Sequence, residues 1–340
     1  MKDFKEYINV WLNICCFTIC LMIVVGGITR LTQSGLSMVE WKPITGIFPP
    51  LNDKQWEEEF NKYKMYPEYE KINKFKFMDI EEYKSIYFWE YVHRILGRII
   101  GLLFIVPFLF FYFKKVLDNN LCKKILIAIF LVIFQGILGW YMVESGLIDN
   151  PHVSHFRLAA HLVLAFYLLG YTYWIKLSLG LKKNNKLNIS NLFHINMLFC
   201  IIIFQIIFGA FIAATKAGKL WNTYPLIEGK LFPSELLGLE PFYMNFINNM
   251  MMFQFMHRTI ALILIIYCGY YYYKTAHNKL LGKFTGLLFM VIINQFIIGV
   301  MTLLSGVQIE LGILHQFIAI VLIMIIVKIK HSIVYIDSIN

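Results

Sequence analysis

The chain has 340 residues, of which 59% are hydrophobic and 15% charged, with a mean hydropathy of +0.62 and a formal net charge of +10 at pH 7. This composition excludes an ordinary soluble domain and a disordered chain. The positive charge needs no nucleic acid partner, because the lysines cluster at the ends of apolar stretches, where membrane topology places them.

The first apolar stretch spans residues 9–30 and follows Lys2 and Lys5. It has neither an Arg- and Ser-rich leader nor a small-x-small cleavage site, so it reads as a retained membrane helix. The segment Leu36–Tyr87 comes next, mixing lysines with acids and carrying Trp41, Trp56 and several tyrosines. It is long enough to form a lid, and a solvated linker is the other reading. Seven more apolar stretches follow at 88–113, 124–144, 156–177, 192–214, 250–273, 284–304 and 309–328. Each can cross a hydrocarbon core of ~30 Å.

Lysines orient the spans. Lys114, Lys115, Lys123 and Lys124 lie between the second and third spans. Lys176, Lys182, Lys183 and Lys186 lie between the fourth and fifth, and Lys274, Lys279 and Lys283 between the sixth and seventh. The opposite short turns carry Glu144, Asp149 and Glu310 but no Lys or Arg. Both termini are therefore expected on the cytoplasmic side of a bacterial inner membrane, with 36–87 outside. The cysteines, Cys15, Cys16, Cys20, Cys122, Cys200 and Cys268, sit in or beside the spans and read as small buried hydrophobes. None lies in the long outer loop, so no structural disulfide is expected there.

The two halves repeat each other in order. Glu90-Tyr-Val-His93-Arg94 parallels Gln254-Phe-Met-His257-Arg258, and Thr32-Gln-Ser-Gly35 parallels Thr215-Lys-Ala-Gly218. Phe134-Gln-Gly-Ile-Leu-Gly139 with Glu144-Ser-Gly146 matches Asn294-Gln-Phe-Ile-Ile-Gly299 with Leu304-Ser-Gly306. The expected fold is an all-α integral membrane protein of eight transmembrane helices, arranged as two tandem, pseudo-symmetric four-helix bundles, 1–185 and 186–340.

Four histidines lie at membrane depth near the outer ends of even-numbered spans: His93 and His161 in the first half, His257 and His315 in the second. Ionisable groups at that depth mark function by default. Each has a small residue four positions on, Gly97, Ala165, Ala261 and Ala319, which leaves a bare patch on the same helix face where a flat macrocycle could lie. Two imidazoles fill both axial positions of a haem iron, whereas zinc would want three or four converging ligands. Two bis-histidine haem sites are the expectation. Hydrogen-bonded core histidines relaying protons are the alternative, and the motif at Gly97 and Gly101 also fits a helix-packing face. Arg94, Arg157 and Arg258 read either as partners of haem propionates or as interfacial anchors. Glu90 lies on the helix face of His93, and Gln254 takes its place in the second half. A carboxylate beside one pair and an amide beside the other suggests that the first site does chemistry while the second stores or relays electrons. A surface acid favoured by the helix dipole is the other reading of Glu90. A di-haem electron-transfer subunit of the cytochrome b type and a proton-coupled transporter remain as rival functions.

Several segments resemble the haem A synthase family. They are Gly26-Gly-Ile-Thr-Arg30-Leu-Thr-Gln-Ser-Gly35-Leu-Ser, Trp41-Lys-Pro-Ile-Thr-Gly46, Phe88-Trp-Glu-Tyr-Val-His-Arg-Ile-Leu-Gly-Arg98, Arg157-Leu-Ala-Ala-His161-Leu and Met256-His-Arg258. The resemblance covers essentially the whole chain. It implies oxidation of the C8 methyl group of haem O to the formyl group of haem A, by two hydroxylations and a dehydration, for terminal oxidases. It further implies that His93, His161 and Arg94 bind substrate haem O in 1–185, and that His257, His315 and Arg258 hold a haem b cofactor in 186–340. Glu90 then matches the catalytic acid, as a proton acceptor or a stabiliser of a cationic intermediate. The outer-loop cysteine pair of some members is missing here, which points to the subgroup resembling mitochondrial homologues. Haem O synthase and an electron-transfer partner of unspecified identity are implied as partners, and a homo-oligomer is compatible with the pattern.

Overall fold

A computed structural model describes residues 2–41, 45–181 and 188–335. Lys42, Pro43 and Ile44 of the first-loop motif, and Lys182, Lys183 and Lys186 of the orientation argument, lie outside the described residues.

The described residues form an almost wholly helical protein, with eight helices long and apolar enough to cross a membrane. They are α1 (Lys2–Leu31), α4 (Ile80–Phe113), α5 (Asn119–Glu144), α6 (His155–Leu177), α7 (Ile189–Thr215), α9 (Met250–Thr275), α10 (Lys279–Leu304) and α11 (Ile309–Tyr335). Short helices α2 (Asp53–Tyr63), α3 (Pro67–Lys71) and α8 (Met244–Asn248) lie in the loops. Side-chain oxygens of Asp79, Asp118, Asn188, Asn249 and Asn278 cap the amides that open α4, α5, α7, α9 and α10. Several helices run past the apolar windows. α1 begins seven residues early and α11 ends seven late, because helical hydrogen bonding does not stop where charged side chains meet water.

Compactness divides the chain into two units, one of residues Phe17–Ala165, the other of the N-terminal part of α1 with the residues from Phe166 onward. This line falls inside α1 and α6 instead of at 185/186. The end of α6 packs on α11: a Cβ at Gly170 would stand 3.3 Å from Val327, and the Trp174 and His331 rings lie 5.2 Å apart. In this unit α7 packs on α9, α9 on α10, α10 on α11, and α11 back on α7, closing a four-helix ring.

In the unit Phe17–Ala165 the segment after α1 is a folded cap, not a linker. Phe60, Tyr63, Tyr83 and Tyr87 form its aromatic core with Met38 and Val39. Tyr63 stacks on Tyr83 at 5.1 Å, and its hydroxyl donates to Glu68 and accepts from Asn73. The first two turns of α4 rise out of the membrane stretch to meet this core, which is why α4 starts at Ile80 and not at 88. Lys71 donates to the Asp149 carbonyl, and the Trp41 and Trp140 rings lie 5.6 Å apart with planes tilted by 30°, so the cap also reaches α5 and the α5–α6 turn.

The internal repeat extends to backbone conformation. Gln33 after α1 and Lys216 after α7, at matching places in the two Thr-x-x-Gly motifs, have φ of 56° and 57°.

Candidate functional site

In the second unit the His257 and His315 rings face each other with centroids 6.4 Å apart. A Cβ on Gly209 of α7 would stand 3.1 Å from His257 Cε1, and one on Gly299 of α10 only 2.9 Å from His315 Cε1. Both imidazoles therefore lie against bare backbone of a neighbouring helix. A glutamine stands one turn before each glycine. Gln205 Nε2 lies 3.2 Å from His257 Nε2, and Gln295 Nε2 lies 3.2 Å from His315 Nε2.

The first unit repeats the plan with one change. A Cβ on Gly26 of α1 would stand 3.1 Å from His93 Cε1, and one on Gly139 of α5 stands 2.9 Å from His161 Cε1. Gln135 Nε2 lies 3.2 and 3.3 Å from the two ring nitrogens of His161 and donates to its carbonyl oxygen at 3.0 Å. Four residues before Gly26 the corresponding residue is Met22, whose Cε lies 3.4 Å from a Cβ position on Gly97.

Glu90 is 3% exposed and Gln254 2%. Glu90 Oε2 accepts from Ser37 Oγ at 2.7 Å and the Met38 amide at 2.8 Å. Its Oε1 accepts from Arg94 Nε at 3.1 Å and Nη2 at 2.6 Å. Arg94 in turn donates to the carbonyls of Met38 and Glu40. In the second unit Gln254 Nε2 donates to the Ala217 and Trp221 carbonyls, and its Oε1 accepts from Arg258 Nη2 at 2.5 Å. Arg258 also donates to the Trp221 and Leu226 carbonyls. Both pairs fasten the loop that follows the preceding helix. The first loop presents an amide and a hydroxyl, which need an acceptor, and the second presents carbonyls, which need a donor. The Glu/Gln difference thus has a backbone cause in addition to any chemical one. Arg157 is placed differently. It donates to the Tyr141 carbonyl at 2.7 Å, with its guanidinium 3.6 Å over that ring.

Gly97, four positions after His93, does not carry the close approach to a ring. At Gly97 a Cβ would meet Met22 at 3.4 Å, and at Gly101 nothing within 4 Å. The cradling glycines sit on the odd-numbered spans instead. The repeat Gln-x3-Gly at 135–139, 205–209 and 295–299 was the available signal for them, together with Gly26.

These residues fit a metal that brings its own equatorial ligands. Among the described residues no three or more His, Cys, Asp or Glu converge, so each imidazole pair could supply only two axial donors. Two imidazoles bonded to one iron at about 2.0 Å each, with half a ring beyond, put their centroids roughly 6–6.5 Å apart, which matches the His257–His315 spacing. Buried polar atoms without partners gather at the same places: Gln135, Gln205 and Gln295 Oε1, His93 Nδ1 and Arg258 Nε. Among the described residues no disulfide joins any of the six cysteines.

Fold and site together define a multi-pass membrane protein with four imidazoles set against glycines of other helices, of which His257 and His315 have the spacing of two donors to one macrocycle-bound metal. Residues 9–327 match the model of the cytochrome oxidase assembly protein family, COX15-CtaA. The chain is 45% identical to the heme A synthase of Flavobacterium psychrophilum, over 95% of this chain and 96% of that one. It is 43% identical to the heme A synthase of Nitrosospira multiformis, over 92% and 89% of the two chains, and 42% identical to that of Ehrlichia canis, over 93% and 90%. The chain belongs to the COX15-CtaA family.

Proposed function

We propose that this chain is a haem A synthase of the bacterial inner membrane, which oxidises the C8 methyl group of haem O to a formyl group. The observation that carries the reading is the duplicated site: two imidazole pairs, each ring against a glycine of a neighbouring helix, with a carboxylate beside one pair and an amide beside the other. A pure electron-transfer subunit has no need of that asymmetry.

In this reading residues 1–185 form the substrate half. His93 and His161 hold haem O, and Arg94 presents a cationic edge toward its propionates. Residues 186–340 hold haem b through His257 and His315, and the buried, unpartnered Nε of Arg258 offers a donor to an acid group of the same molecule. Haem b, when bound, supplies one-electron transfer. Both termini face the cytoplasm, as the lysines at the ends of α4, α9 and α10 favour. The cap over α4 keeps water from the substrate side, and a haem O synthase hands over the substrate.

Glu90 acts as a fixed negative charge close to the reacting carbon. In a water-poor site a preorganised charge stabilises positive charge developing in the transition state. Its two oxygens already accept four hydrogen bonds, so taking up a proton requires Arg94 or the Ser37–Met38 segment to give one back. Charge stabilisation is therefore its first role. Proton acceptance follows only when that segment moves.

The test is to express the chain with a haem O synthase and identify the extracted haems by chromatography and mass. Haem A or its C8-hydroxymethyl precursor, formed only when this chain is present, supports the reading. Haem b with untouched haem O overturns it.

A further inference from the structure

Tyr63 and Tyr83 are wholly buried in the cap, and their rings stack with centroids 5.1 Å apart. The two hydroxyls differ in what they can do. Tyr83 donates to the carbonyl of Ser37, the residue whose Oγ donates to Glu90. Tyr63 accepts from Asn73 Nδ2 at 2.7 Å and donates to Glu68 Oε2 at 3.0 Å. A carbonyl oxygen is too weak a base to take a phenolic proton, whereas a carboxylate can take one. Packing asks only for the ring at position 63, and burying an acid beside it is costly. Glu68 is nevertheless only 7% exposed, with Arg30 of α1 within electrostatic reach. From Tyr83 the rings continue along α4, to Tyr87 at 5.9 Å and from there to Tyr91 at 6.3 Å. Residues 83, 87, 90 and 94 follow the spacing of one helix face, so this row runs beside Glu90.

We propose that Tyr63 and Glu68 form a redox-active pair, which takes up an oxidising equivalent that escapes from the substrate half and holds it in the cap. The inference rests on the reading of the first half as the haem O site, with Glu90 close to the reacting carbon. The oxidant is a peroxide-oxidised haem iron, or another one-electron oxidant strong enough to oxidise a phenol. One electron passes from Tyr83 to that oxidant, and one from Tyr63 refills Tyr83. As the electron leaves, the Tyr63 O–H bond breaks and its proton moves to Glu68 Oε2. A neutral phenoxyl radical and a protonated carboxyl remain. An oxidised phenol is a far stronger acid than a carboxylic acid, so the proton moves even with the Arg30 charge nearby. Tyr83 has no comparable base, and the oxidising equivalent therefore comes to rest on Tyr63. One electron from a quinol or thiol reductant, with the proton from Glu68, restores the pair.

Two oxidants test this on the full chain co-expressed with a haem O synthase. Flash photolysis with ruthenium tris-bipyridine and a cobalt(III) acceptor probes the pair without any haem reaction, and hydrogen peroxide probes its link to the first half. Electron paramagnetic resonance of frozen samples reads the tyrosyl signal that persists after surface radicals have decayed. That signal is expected in unaltered protein with both oxidants and should vanish in Tyr63→Phe. Glu68→Gln, which can accept the hydrogen bond but not the proton, should lose it too. Tyr273→Phe, at a residue 79% exposed, should keep it. Limited proteolysis shows whether each variant retains a folded cap. If both cap variants are loosened, double resonance on unaltered protein decides, by the presence or absence of an exchangeable proton hydrogen-bonded to the radical oxygen. A persistent signal that survives Tyr63→Phe, or is as strong in Glu68→Gln, would overturn the inference, as would its absence from photo-oxidised unaltered protein. So would peroxide that leaves Tyr63 silent in protein carrying haem O. A chain that forms the Tyr63 radical by photo-oxidation but never binds haem O would keep the pair and sink the substrate-site reading instead.

Discussion

His257 donates from Nδ1 to the backbone carbonyl of Gln205, 3.1 Å away. A carbonyl can only accept, so the proton sits on Nδ1 and the lone pair on Nε2. Metal-ligating histidines show this arrangement, with the second nitrogen tied to a carbonyl or carboxylate that fixes the tautomer. The Nε2 lone pair accepts from the Gln205 side-chain amide at 3.2 Å, so binding a metal through Nε2 requires that amide to give way.

On the proposed assignment of His257 and His315 to a low-spin haem, replacing either one is expected to remove that low-spin form. His257→Ala and His315→Ala should each abolish the low-spin bands in purified protein, leaving either a high-spin spectrum or no haem, because one of the two axial donors is gone. Survival of the bands in either variant would remove that residue from the ligand set.

The glycine cradle predicts a steric phenotype. Gly209→Val and Gly299→Val would drive a side chain into rings already 3.1 and 2.9 Å from a Cβ position. Both are expected to lower haem b content by about 10-fold or more, the penalty typical of displaced ligand support. Gly101→Val, which meets nothing within 4 Å, is the control and should retain its haem. Pyridine haemochrome titration of the purified variants measures all three.

Glu90→Gln and Glu90→Ala separate charge from architecture. The alanine variant leaves Arg94 and the Met38 amide without their partner. Removing one member of a buried pair costs roughly 3–5 kcal/mol, so a lower melting temperature is expected. The glutamine variant keeps an acceptor for Arg94, as Gln254 does for Arg258, but turns an NH2 toward the Met38 amide, so it is expected to lose less melting temperature than Glu90→Ala and to retain haem. Its haem A yield is expected to fall by about 100-fold or more, in the range of a lost catalytic group. An undiminished yield in Glu90→Gln would reduce Glu90 to a fastener of the first loop.

The cap has its own test in Tyr63. Burial, then the neighbouring Glu68, push its hydroxyl well above the ordinary tyrosine range. A raised folded-state value means the fold favours the protonated form. Its contribution is therefore complete below the unfolded value of about 10 and is lost as pH rises beyond it. Cap protection against limited proteolysis should fall above about pH 10. Tyr63→Phe strips partners from Glu68 and Asn73 and should weaken the cap by about 1–3 kcal/mol at neutral pH. Identical proteolysis rates for wild type and Tyr63→Phe would show that the network contributes nothing.

Much of this protein was legible in one dimension. Eight spans could be marked because crossing a bilayer requires a contiguous apolar run, whatever its neighbours do. His93, His161, His257 and His315 stood out because an ionisable group is expensive in such a run. The tandem motifs around Glu90–Arg94 and Gln254–Arg258 announced the repeat, and the shared positive φ of Gln33 and Lys216 extends it to the backbone. What the residues touch was not legible. That each ring also meets a glycine of another helix could not be read from the spacing along its own helix. Glu90 read as an acid beside a cofactor, and its oxygens turned out to be engaged by Ser37, Met38 and Arg94. The physical reason is that a span apolar on nearly every side carries no strong polar face to fix its rotation. Which residues meet across helices is then decided by close packing and by buried hydrogen bonds that must be satisfied. Sequence alone determined which residues enter the membrane and in what order. Only the tertiary structure decided that His161, His257 and His315 each meet a glutamine and that all four rings meet a glycine of another helix.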